Sequence, residues 1–207
     1  MLVLAPPLRL LRVLSILLVC VTGPAAAGPL DDGLAAYKAD DYETALRLLG
    51  PLAEKGDAAA QWTLGIMYAN GQGVALDGET GLAWLRKAAA QGYADAEFAL
   101  GALYENGFGV PQSNGEAARW YRKAAERGHA AAQYNLGVMF EYGNGIARDL
   151  VQAHLWLNLS VARLDPSLES QMRTVAIESL DRVAATMTPV QLAEAARLAR
   201  DWKPPSP

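Results

Sequence analysis

The stretch AQWTLGIMYANGQGVALDGETGLAWLRKAAAQG, residues 60–92, decides the fold, because it returns as AEFALGALYENGFGVPQSNGEAARWYRKAAERG at residues 96–128. A third copy opens at Ala132 and keeps the 36-residue register through Leu136-Gly137, Gly143-x-Gly145-Ile146 and Trp156. Trp84, Trp120 and Trp156 share one phase, while Gly56, Gly92 and Gly128 close successive units in another. Self-similarity at such a period marks stacked supersecondary units.

Each unit reads as two helices. Leu64, Met67 and Tyr68 recur at helical spacing along a first helix from about Ala60 to Ala69. Gly65 lies inside it, and a mid-helix glycine costs about 1 kcal/mol relative to alanine. Its return as Gly101 and Gly137 predicts that a neighbouring helix approaches closely there. The first glycine of the Asn-Gly-x-Gly-Val stretch is a candidate left-handed C-cap. Asp77 then opens a second helix, and Asp41, Ser113 and Asp149 stand at the same phase as N-caps. Ser113 with Glu116, and Asp149 with Gln152, have capping-box spacing. The Arg/Lys-Ala-Ala endings suit the negative end of the helix dipole. The three repeated tryptophans sit among apolar neighbours and are expected in the core. Neither helix can bury its face alone, so hairpins must stack into a continuous seam.

The array runs over residues 30–166, as a short unit at 31–58 and units near 59–94, 95–130 and 131–166. In the short unit Tyr37 precedes Asp41 by four residues, whereas Tyr68 precedes Asp77 by nine, which makes it an N-terminal cap. The third unit loses the Lys-Ala-Ala-x-x-Gly ending, and Asp165-Pro166 breaks the chain. Capping helices are expected over 167–203. Leu168, Met172, Val175, Leu180, Val183 and Met187 fall near one face of the first of them. Thr188-Pro189-Val190-Gln191 combines a cap, an N1 proline and a capping-box partner, opening a last helix to Trp202. Residues 204–207 form a frayed tail.

Residues 1–27 carry Arg9 and Arg12, no acidic residue, an apolar run from Leu10 to Val21, and Ala25-Ala26-Ala27. They read as a cleavable secretory signal, and the apolar run is shorter than the ~20 residues that span a bilayer. Retention as an anchor and lipidation at Cys20 are the alternatives, the latter disfavoured by bulky Val19. Cleavage after Ala27 leaves 16 basic and 22 acidic residues, a formal charge of -6 and no cysteine. Disulfides and thiol catalysis are then excluded. A periplasmic or secreted location follows, with no stable membrane span after signal removal. The 52% hydrophobic share with only 8% aromatics favours helices packed through small residues over a β-sandwich. The 18 basic residues are scattered among 22 acidic ones, which argues against nucleic acid.

The repeated string, with its Leu-Gly, Gly-x-Gly-Val, Trp and Lys-Ala-Ala positions in phase, resembles the Sel-one-like repeat, a relative of the tetratricopeptide repeat. Departures are Ser113 for the usual Asp, Gly81 for the usual Ala, and Phe140 where Tyr68 and Tyr104 stand. The resemblance implies an all-α, right-handed α-α superhelix of helical hairpins. It also implies a bacterial protein that holds other proteins together and is not an enzyme.

No cofactor or metal is expected. The Gly-x-Gly pairs follow a helix and lack the third glycine and preceding strand of a dinucleotide site. His129 and His154 lie in different phases without spaced ligands. No catalytic motif appears, and Glu105 with Glu141 at one phase reads as two exposed groove charges rather than a glycosidase pair. The tetratricopeptide analogy puts Trp62, Phe98 and Tyr134 on the concave surface with Ile66, Ala102 and Val138. Asn70, Asn106 and Tyr142 lie near the helix ends, and Glu105 and Glu141 edge the row. Aromatics there offer large contact area at low entropy cost. The column either grips a protein or peptide of the envelope or exterior, stacks on glycans such as peptidoglycan or exopolysaccharide, or packs between helices.

Overall fold

A computed structural model describes residues 28–165 and 170–204. The signal at residues 1–27 with Cys20, as well as Pro166, Leu168 and residues 205–207, lies outside the described residues. Among those described, every element is helical, and together they make an α-solenoid. The short unit is α1 (Pro29–Lys38) and α2 (Tyr42–Glu54). Three hairpins follow: α3 (Ala58–Asn70) with α4 (Gly78–Ala90), α5 (Ala94–Asn106) with α6 (Asn114–Glu126), and α7 (Ala130–Tyr142) with α8 (Leu150–Arg163). Then come α9 (Ser170–Ala184) and α10 (Pro189–Asp201), both packed on α8.

Caps and glycines fix the hairpins. Gly71, Gly107 and Gly143 end the first helices in the left-handed conformation, at φ 67°, 72° and 74°. The backbone N–H groups of Asp77, Ser113 and Asp149 donate to the carbonyls of Tyr68, Tyr104 and Phe140 at 2.9, 2.8 and 3.0 Å, so all three loops close alike. The side chains of Asp41, Asp77, Ser113 and Asp149 accept from backbone N–H groups of the helices they open. Only half of the expected capping box forms at Ser113, where Glu116 turns to Arg119 instead, 2.9 Å away. At Thr188 the box is complete.

Helix packing explains the other glycines. A Cβ on Gly65, Gly101 or Gly137 would stand 2.7, 2.5 or 2.8 Å from Leu85, Tyr121 or Leu157 on the paired helix. At Gly81 the approach is to backbone rather than side chain, since its Cβ would meet the Ala69 amide nitrogen and the Gly65 carbonyl oxygen, both at 2.8 Å.

Two core expectations need correction. Trp156 is buried, but Trp84 and Trp120 are only half-buried, each covered by a lysine ammonium: Lys87 at 3.9 Å and Lys123 at 4.2 Å from the ring centroid. The third ring differs because Trp202 returns against Trp156, with ring centroids 6.5 Å apart. On α9 the buried stripe is Ala176, Ser179 and Val183, while Met172 and Val175 are 40% and 41% exposed. The small side chains at 176 and 179 face the array and turn the long apolar ones outward.

Candidate functional site

The first helices α3, α5 and α7 carry the stripe expected from the repeat phase. Trp62, Ile66 and Asn70 on α3 correspond to Phe98, Ala102 and Asn106 on α5, and to Tyr134, Val138 and Tyr142 on α7, each set four residues apart along one helix face. The aromatics and the middle residues are half-buried and the terminal residues exposed, while Leu64, Leu100 and Leu136 beside them are buried. Asn106 Nδ2 donates to the Ala102 carbonyl at 2.9 Å.

The first two aromatics are each braced by the following unit. Trp62 lies 5.9 Å from the Tyr93 ring, and Phe98 stacks on His129 at 4.6 Å with 19° between planes. Tyr93 and His129 occupy one repeat phase, as residues just ahead of α5 and α7. His129 is itself a cap: Nδ1 accepts from the Ala132 amide at 3.1 Å, and Nε2 lies 3.2 Å from Asp95 Oδ1. Those two bonds assign a neutral ring with its proton on Nε2. The His129 hydrogen bond is the main influence drawing the Asp95 carboxyl below its ordinary range.

At the C-terminal end the stripe opens into an apolar cleft. Tyr134 of α7 faces Gln171, Met172 and Val175 of α9 around a volume of 320 Å³. Tyr142, two turns further along α7, is 57% exposed. This cleft escaped the sequence reading because Met172 and Val175 belong to no repeat phase and look like ordinary core positions.

The two edge carboxylates are not free charges. Glu141 is buried and takes a bidentate ion pair from Arg182 of α9, at 2.7 and 3.0 Å. Hydrogen bonding to Glu141 is the leading cause that holds Arg182 firmly charged. Glu105 accepts from the Tyr121 hydroxyl at 2.6 Å. Burial first, and this carboxylate second, push the Tyr121 hydroxyl far above its ordinary value, so it stays a donor. Glu141 therefore docks α9 rather than edging a groove.

A polar series also went unseen. Gln61, Glu97 and Gln133 share a phase and are all buried. The two glutamines donate through Nε2 to the carbonyls of Ala53 and Ala125 at 2.9 and 3.0 Å. Glu97 instead meets Arg127 at 3.2 Å. Burial pushes the Glu97 carboxyl up, and Arg127 draws it part of the way back. The signal was the 36-residue spacing of these three side chains in helices otherwise apolar on that side.

Among the described residues, no three His, Cys, Asp or Glu side chains gather to hold a metal ion, and no helix is long and apolar enough to cross a membrane.

The chain matches the Sel1 repeat over residues 58–93, 94–129 and 130–163. It is similar to a protective antigen of uropathogenic Escherichia coli that displays an SLR fold, at 35% identity and a TM-score of 0.65. That match covers 78% of this chain and 33% of the antigen, so this chain spans about a third of its length. It is also similar to a Sel1 repeat protein from Oxalobacter formigenes, at 34% identity and a TM-score of 0.59, covering 66% of this chain and 97% of the other. No match was found among proteins of curated function.

Proposed function

Since this chain belongs to the Sel1 repeat family, we propose that it is an exported, non-enzymatic module that binds a partner polypeptide along the first-helix stripe, centred on the cleft between α7 and α9. The repeat points to protein–protein interaction. What carries the site is exposure: Met172 and Val175 stand 40% and 41% exposed around the cleft that Tyr134 lines, at the end of a row of half-buried aromatics. Clustered apolar side chains left in water mark interaction surfaces, and aromatic anchors in pockets supply most binding energy. The exported chain's charge of -6 favours a neutral or basic partner. Export rests on the positive residues, apolar run and small-residue site within residues 1–27.

The test is capture from envelope extract by the exported chain and by its Met172→Asp/Val175→Asp variant, with soluble cell-wall oligosaccharide as competitor. A protein recovered by the first, lost with the second and indifferent to sugar supports the reading. Retention on insoluble glycan, released by the oligosaccharide and with no protein recovered, replaces it with glycan binding.

A further inference from the structure

Trp202, just past α10, fills a groove of the third unit. Its ring stands edge-on to Trp156 at 77°, the Arg163 guanidinium lies 4.3 Å from its centroid, and a Cβ on Gly128 would come within 3.9 Å of it. One repeat earlier the same three phases are held by Gly92, Trp120 and Arg127. There they line an open cavity of 430 Å³ with Arg86, Lys123 and Glu126, within the ~300–1,000 Å³ of ordinary ligand pockets. The chain therefore displays, in one unit, the occupant that the preceding unit has room for.

The two grooves differ in charge. Leu159, Gln133 and Ala162 stand where the earlier unit has Lys123, Glu97 and Glu126. Lys123 lies over Trp120 at 4.2 Å, and Arg127 is held across the floor by Glu97, against a glycine whose Cβ would stand 2.6 Å from the Arg127 guanidinium carbon. Three cations, Arg86, Lys123 and Arg127, face two carboxylates, Glu97 and Glu126. We propose that this groove between α4 and α6 docks a tryptophan-bearing segment of another polypeptide, with an acidic residue beside the tryptophan, in the manner of Trp202. Asp201-Trp202 is such a pair in this chain, but its indole is engaged at Trp156, so a second copy is not the occupant. The groove shares no residue with the first-helix stripe, and its occupancy is independent of that reading.

The probe is a dye-labelled peptide of residues 198–204, LARDWKP, and its counterpart with alanine at position 202, titrated by fluorescence anisotropy into the exported chain. One peptide should bind per chain, and the alanine counterpart about tenfold or more weakly. Ala90→Trp, which fills the groove from an exposed rim position, should abolish binding with an unchanged melting curve, and Lys123→Glu should weaken it. Trp202→Ala vacates the third-unit groove and should raise the stoichiometry to two. Val138→Arg on the first-helix stripe should leave the affinity for this peptide unchanged. Absence of binding at peptide concentrations on the order of 1 mM overturns the proposal, as does binding indifferent to Ala90→Trp or lost with Val138→Arg. So does concentration-dependent self-association abolished by Trp202→Ala.

Discussion

Glu97 is the charged member of the series Gln61, Glu97 and Gln133, and Glu97→Gln isolates what that charge does. The side chain is 2% exposed. A glutamine there would reach the Ala89 carbonyl as its counterparts reach Ala53 and Ala125 at 2.9 and 3.0 Å, a bond worth about 1 kcal/mol. Against this stands the lost pairing with Arg127, whose side chain is 45% exposed, so solvent screening holds its worth to about 0.5 kcal/mol. Relief of the buried charge adds to the gain. The net is a stabilisation of about 1 kcal/mol at neutral pH, a rise in Tm of about 2–4 °C for a chain of this size. Because burial raises the folded-state pKa of Glu97, its own contribution is fully present below the ordinary carboxylate range and fades as pH rises through the folded value. The advantage of glutamine must therefore be small near pH 4 and largest near pH 7. Urea denaturation at both pH values reads the difference. A variant less stable than the parent at neutral pH would show that the Arg127 pair outweighs desolvation, and a gap independent of pH would show that folding does not raise the Glu97 carboxyl at all.

Gly101→Ala should lower stability by about 1–3 kcal/mol through overpacking, since its Cβ would stand 2.5 Å from the buried Tyr121 ring. Gly78→Ala, at the first residue of α4 with nothing within 4 Å of the new Cβ, should raise stability by up to about 1 kcal/mol; thermal melts of both variants decide. Arg182→Ala leaves the buried Glu141 carboxylate without its partner and should cost about 2 kcal/mol, with part restored in urea denaturation by adding Glu141→Gln. Phe98→Ala should lower Tm, because the ring stacks on His129 and packs tilted against Tyr121, whereas Tyr134→Ala, without such bracing rings among the described residues, should lower Tm less and reduce partner capture. N-terminal sequencing of the envelope-resident form should begin near Gly28, and recovery of Met1 or a lipid-modified Cys20 would replace release by anchoring.

The repeated positions were legible from the sequence because a fixed backbone demands the same residue each time it recurs. Leu64-Gly65, Gly71 and Asp77 each do one job three times, and the helices, left-handed caps and close approaches fall where their spacing puts them. What breaks the period was not legible. Glu105 and Glu141 are equivalent along the chain, yet only Glu141 meets an arginine, supplied 41 residues away by a helix outside the array. Trp120 and Trp156 are likewise equivalent, and only the second is covered by Trp202. On α9 a count of large apolar letters selected Met172 and Val175, whereas close packing selected Ala176 and Ser179. The stripe Trp62, Phe98 and Tyr134 was readable as a set, but not that Tyr93 and His129 brace its first two members and leave the third facing a cleft.

Site-specific photo-crosslinking in living cells tests the central claim most directly. A photoreactive residue placed at Val138, on the stripe beside the α7–α9 cleft, should join the exported chain to a discrete partner protein, and the adduct should vanish with Met172→Asp/Val175→Asp. The same residue at exposed Glu79 on α4 should give no such adduct. Equal crosslinking from both positions, or none from Val138 while Glu79 yields the adduct, would contradict the assignment of the first-helix face as the binding surface.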